Sequence, residues 1–229
     1  MKRRATVAAF GLGMFMLSTA PVEGQLFNFP DYAVPSFDGG ASTFVAGSYG
    51  RGLNDESGKL NAVSAIVGRT TSGLSFQGGF GYIDGVGDSE WTLGGAAGYD
   101  LLSDASPAQL TLQGGIGWMQ LSDPTGLIGD ITLLRFPVGV ALKGNIDSSS
   151  ASVTPWVMPR LNMVRFSSDG GSTTQTDFGA SAGVGITMPS GFGVHAALDL
   201  LAVSVDVGSA SETQQQLRFG LGAHYMLGR

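Results

Sequence analysis

The 229-residue chain has no cysteine, only two histidines and charge on just 13% of its residues. Without cysteine an oxidising compartment has no disulfide to form, so stability must come from a core or from a sheet closed on itself. Charge at about half the usual quarter of residues would leave a soluble domain hard to keep in solution. The net charge of −6 argues against a nucleic-acid partner. Beyond residue 20 no apolar run approaches the length of a membrane helix. If the chain spans a membrane, it does so in strands.

The opening M-K-R-R-A-T-V-A-A-F-G-L-G-M-F-M-L-S-T-A sets three positive charges before a short, glycine-interrupted apolar run. This is the pattern of a secretory signal rather than an anchor helix. Residues 1–24 are expected to be removed, leaving Gln25 first. Residues 25–40 carry prolines and aromatics without a period and are expected to form a periplasmic leader or a short plug. Glycine contributes 37 residues, more than twice the average usage. These glycines are interleaved with Phe, Tyr, Trp, Leu and Val, which excludes a disordered low-complexity tract.

From residue 41 to 229 the chain breaks into segments of period two separated by turn chemistry. Leu74, Phe76, Phe80 and Tyr82 share a face, as do Trp91, Leu93, Ala97, Tyr99 and Leu101, and Leu110, Leu112, Ile116 and Trp118. The pattern continues through Leu134 to Leu142, Val153 to Met163, Phe178 to Met188 and Val194 to Leu200, and closes with Leu217, Phe219, Leu221, Ala223, Tyr225 and Leu227. Segments 41–51 and 59–69 have strand-like composition but no assignable face. The expectation is an all-β, antiparallel up-and-down transmembrane barrel of about ten strands, or about eight if the two early segments are not strands. With both termini periplasmic, the connections G-L-N-D-E-S-G, I-D-G-V-G-D-S-E, L-S-D-P-T-G-L-I-G-D, S-S-D-G-G-S-T-T-Q-T and G-S-A-S-E-T-Q-Q fall outside, and the shorter ones fall inside. A soluble sandwich would show the same alternation. Against it, Trp91, Tyr99, Trp118 and Tyr225 sit toward strand ends, where a membrane-interface girdle requires them.

Over residues 41 to 229 the pattern resembles the small outer-membrane β-barrel proteins of bacteria, the eight- to ten-stranded group. In that group the last strand carries a glycine and two spaced hydrophobic positions read by the barrel-assembly machinery, and Gly222, Tyr225 and Leu227 match it. The chain departs from the pattern by running on to Gly228-Arg229 instead of stopping at an aromatic residue. The resemblance implies a monomer partnered by outer-membrane lipid and lipopolysaccharide, with no cofactor and no resident metal.

No motif establishes catalysis. G-A-S-A-G at 179–183 matches a serine-hydrolase elbow, but it lies within a strand and no helix follows. G-F-G-V-H-A at 191–196 lacks the helix that would hold a pyrophosphate. His195 and His224 fall on neighbouring strands, nearly opposite each other on the lumen face, with Asp199 further along that face. Such a cluster could bind metal or act as a base, yet no positioned nucleophile accompanies it. Arg135, Lys143, Arg160 and Arg218 against Asp100 and Asp199 give the lumen a basic excess, read as a space-filling ion-pair lattice before an anion-favouring pore. Asp84, Asp88 and Glu90 read as a solvated acidic tip before a calcium site. The expected function is structural or surface-interacting through the outer loops. A small porin-like channel is the alternative, and a membrane-embedded lipid hydrolase is a more distant one.

Overall fold

The computed structural model describes residues 42–84, 90–102, 108–121, 130–207 and 210–227. The expected signal and leader lie outside them. The strands are β1 (Ser42–Gly52), β2 (Asn61–Thr71), β3 (Leu74–Asp84), β4 (Glu90–Asp100), β5 (Ala108–Leu121), β6 (Ile131–Gly144), β7 (Ile146–Asp147), β8 (Ser152–Ser168), β9 (Gly171–Thr187), β10 (Phe192–Val207) and β11 (Ala210–Leu227). A single turn of 3-10 helix, Asp55–Ser57, interrupts them. Neighbouring long strands pair antiparallel, β6 pairs with β8, and β1 pairs with β11, so ten strands close a ring. The two-residue β7 lies outside it against the start of β8. Closure leaves no unpaired edge around the middle of the wall, the condition for strands to lie in hydrocarbon.

The alternation in the sequence becomes an outside and an inside. Leu74, Phe76, Phe80, Leu93, Tyr99, Ile116, Val138, Leu142, Phe178, Leu198, Leu221 and Tyr225 are exposed on the outer wall. The residues between them face the lumen and are buried, among them Arg135, Arg160, Asp199 and Arg218. A sheet that exposes its greasy face and buries its charged one is inside out for water and correct for lipid. The ladder between β5 and β6 lapses opposite Pro137, and that between β6 and β8 lapses opposite Pro159, because proline has no N–H to donate.

β1 begins and β11 finishes at one end of the barrel, here the near end; the opposite end is the far end. Toward the far end the polarity inverts. Arg51, Asn61, Asp84, Gln120, Thr132, Arg165 and Ser167 point outward, in two cross-strand sets where Asn61 pairs with Arg51 and Asp84 and Thr132 pairs with Gln120 and Ser167. Their inward neighbours Leu60, Ala62, Ile83, Met119, Ile131, Leu133, Val164 and Phe166 pack as one apolar cluster. A polar outside over an apolar inside is the arrangement for water, so the hydrocarbon ends at this row.

The inversion explains two departures from the sequence reading. Residues 167–176 and 208–215 were expected to be outer loops, yet β8 runs to Ser168, β9 starts at Gly171, β10 runs to Val207 and β11 starts at Ala210. Ser172, Thr174 and Thr176 point outward from a strand that rises past the lipid, whereas Gln175 between them turns inward to Asp177. The two early segments are β1 and β2, with Val45, Tyr49, Val63 and Val67 outward and Phe44, Ala46, Ala62 and Ile66 inward. Both of their faces are apolar, so no alternation showed. Lys59 and Leu60 precede β2, with Gly58 and Lys59 at positive φ of 68° and 53°.

Candidate functional site

The lumen is filled in three layers. The far-end cluster of Leu60, Ile83, Met119, Leu133, Val164 and Phe166 caps one mouth. Phe44, Ile66 and Met226, with Ala46 packed against them, form a smaller apolar cluster toward the near end on β1, β2 and β11. Each such buried side chain contributes about 1.5–3 kcal/mol, and none offers water a partner.

Between the two clusters lies the polar lattice. Asp199 on β10 meets Arg160 Nη2 of β8 at 2.6 Å and Arg218 Nη1 of β11 at 3.2 Å. Arg218 also donates from Nη2 to Gln216 Oε1, and Arg135 donates from Nη2 to Asn162 Oδ1 at 2.7 Å. Asp177 on β9 accepts from Gln175 Nε2 at 2.9 Å and from the Ser204 N–H at 3.3 Å. Lower down, Asp100 accepts from Thr111 Oγ1 at 2.5 Å. Lys143 is buried on the same face, with Asp100 as its attracting charge. The lattice therefore sets Arg135, Lys143, Arg160 and Arg218 against Asp100, Asp177 and Asp199. Asp177 was not foreseen; it sat at the end of a stretch read as loop, and only its period with Gly179 and Ser181 could have placed it inside.

Glycine makes the long reaches possible. Arg160 crosses Gly179 on β9 to meet Asp199 on β10, and a Cβ on Gly179 would press against the guanidinium carbon at 3.2 Å. In the same way Phe44 occupies the space over Gly68, and Trp156 that over Gly183. The glycines are slots that let one lumen side chain lie across the neighbouring strand.

The two histidines use this device reciprocally. His195 on β10 faces Gly222 on β11, which faces Ser48 on β1, and His195 Nε2 lies 3.0 Å from Ser48 Oγ. His224 on β11 faces Gly193 on β10, which faces Thr187 on β9, and His224 Nε2 lies 3.0 Å from Thr187 Oγ1. The rings stack with centroids 6.0 Å apart and planes at 16°. His195, Asp199 and His224 all lie on the lumen face as expected; there Asp199 pairs with the arginines, and the Ser48 hydroxyl lies against His195. Both contacts face the closed lumen. No group of three or more His, Cys, Asp or Glu among the described residues is arranged to hold a metal, and Asp88 of the acidic tip lies outside those residues.

Of the remaining expected residues, Trp91 and Trp118 point outward near the far end, and Tyr99 and Tyr225 near the other. Trp91 makes an edge contact with Tyr82 at 5.1 Å between centroids. Tyr225 and Leu227 face lipid, whereas Gly222 faces the lumen under His195. Replacing Gly222 with valine would overlap that imidazole and is expected to cost about 1–3 kcal/mol. A lowered urea midpoint in detergent micelles would register the loss, whereas an unchanged midpoint would show the slot is not needed.

Ten strands, a lipid-facing belt and a packed interior define a transmembrane β-barrel of the bacterial outer-membrane type, and the outer membrane is where the chain resides. No protein-family model matches the chain, and no curated protein sequence does. Among solved structures it is similar to the translocator domain of the autotransporter NalP from Neisseria meningitidis, at 14% identity and TM-score 0.44 over 98% of this chain and 97% of that one. It is also similar to the N-terminal β-barrel domain of Pseudomonas aeruginosa OprF, at 13% identity and TM-score 0.38 over 81% and 97%. Ail, the attachment invasion locus protein of Yersinia pestis, follows at 12% identity and TM-score 0.35 over 83% and 100%. The likeness is one of barrel architecture and extends to nothing finer.

Proposed function

We propose that the protein is a rigid, non-conducting outer-membrane barrel whose role is structural or is exercised through the surface it presents at the far end, which faces outward. The observation that carries this reading is the filled lumen. Arg135, Arg160, Asp199 and Arg218 are each at most 4% exposed at mid-height, with an apolar cluster packed on the far side of them and a smaller one toward the near end. A conducting pore keeps such charges wet so that ions can exchange against them. The outward belt meets outer-membrane lipid and, in the outer leaflet, lipopolysaccharide, while Gly222, Tyr225 and Leu227 serve recognition by the assembly machinery. The barrel works as a monomer, without cofactor, nucleic acid or enzymatic turnover.

Planar-bilayer recording tests the reading. The refolded protein is expected to give no unitary conductance steps, and reproducible steps of one size would replace the platform by the porin-like alternative.

A further inference from the structure

The closing seam of the ring, where β1 meets β11, joins residues far apart in the chain, and the histidine pair lies across it. We propose that His195 and His224 form a two-way staple that locks this seam after closure. His195 starts on β10, crosses β11 over Gly222 and ends on Ser48 of β1, so its bond can form only when β1 has already docked on β11. His224 starts on β11, crosses β10 over Gly193 and ends on Thr187 of β9. The stacked rings join the two reaches. Together they tie β9, β10, β11 and β1 into one unit that includes, among the described residues, the only pairing not made between strands adjacent in the chain or flanking β7.

Two features single out this arrangement from ordinary lumen filling. The paired glycines are placed reciprocally, each under the ring that crosses its strand, and a Cβ at either would overlap that imidazole. The hydroxyl partners also stand at the register positions where the crossings arrive, Ser48 opposite Gly222 and Thr187 opposite Gly193. An interaction made after the rate-limiting closure slows unfolding and leaves folding almost unchanged.

The absence of native cysteine permits a clean test. Folding and unfolding rates are measured in detergent micelles for the parent and for His195→Ala, with Ser48→Ala as the milder variant should the first not fold. Each is repeated with a cystine across the seam, Gly47→Cys with Ala223→Cys, two outward residues paired in register, where a Cβ on Gly47 would make only an ordinary contact, 3.8 Å from the Ser64 carbonyl oxygen. Loss of this part-buried hydrogen bond is expected to speed unfolding about five- to tenfold, with folding unchanged, and the oxidised seam should abolish the difference. Unaltered unfolding would overturn the staple. So would an acceleration that the cystine does not suppress, because the weakness would then lie elsewhere, and so would an equal slowing of folding, because the bond would then precede closure.

Discussion

Asp199→Ala is expected to destabilise the barrel by about 3–5 kcal/mol, the range for removing one partner of a buried ion pair. Its carboxylate holds Arg160 at 2.6 Å and Arg218 at 3.2 Å, with all three side chains at most 2% exposed. Without it two buried guanidinium groups lose the carboxylate they share. Unfolding in urea, followed by tryptophan fluorescence in detergent micelles, would report the loss as a lowered midpoint. The triple change Asp199→Leu, Arg160→Met and Arg218→Met should recover much of it, since buried charge replaced as a set by apolar groups is often neutral or stabilising. If Asp199→Ala unfolds like the parent, the lattice is hydrated and the lumen is not closed.

The second large effect concerns the outer wall. Leu198, exposed on the face of β10 and paired with Ala182 and Phe219, lies within the belt. Leu198→Arg should cost about 2–4 kcal/mol in a bilayer, as a charge held near mid-membrane does. Thr174→Arg, on the part of β9 that has risen past the polarity inversion, should change stability by less than about 0.5 kcal/mol, as a water-facing surface change does. Refolding yield and urea midpoint in lipid vesicles measure both. Equal costs at the two sites would mean that the inversion does not mark the edge of the hydrocarbon.

Where the chain meets lipid on one side and charge on the other, the fold could be read directly. The alternation of Leu217, Phe219, Leu221, Ala223, Tyr225 and Leu227 against Arg218, His224 and their neighbours survives intact in β11. It failed where the lumen is apolar. In β1 and β2 the near-end apolar cluster puts Phe44 and Ile66 on the inner face while valines occupy the outer one, so both faces look alike. It failed again past the lipid, where outward Ser172, Thr174 and Thr176 of β9 look like loop residues although they keep the strand period. The charged lattice was legible as a list of inward residues, but its partners were not. Asp199 stands directly opposite Arg218, while its second partner Arg160 arrives across Gly179, and both placements require the register.

Single-cysteine scanning of β11 with a spin label, in protein refolded into lipid vesicles, tests the filled transmembrane barrel most directly. At positions 217, 219, 221, 223, 225 and 227 the label should collide freely with oxygen dissolved in lipid and hardly at all with a water-soluble nickel complex. At the inward positions between them it should be shielded from both. Nickel access at the inward positions would establish an open channel, and loss of oxygen access at the outward ones would turn the greasy face into a soluble core, either of which contradicts the account.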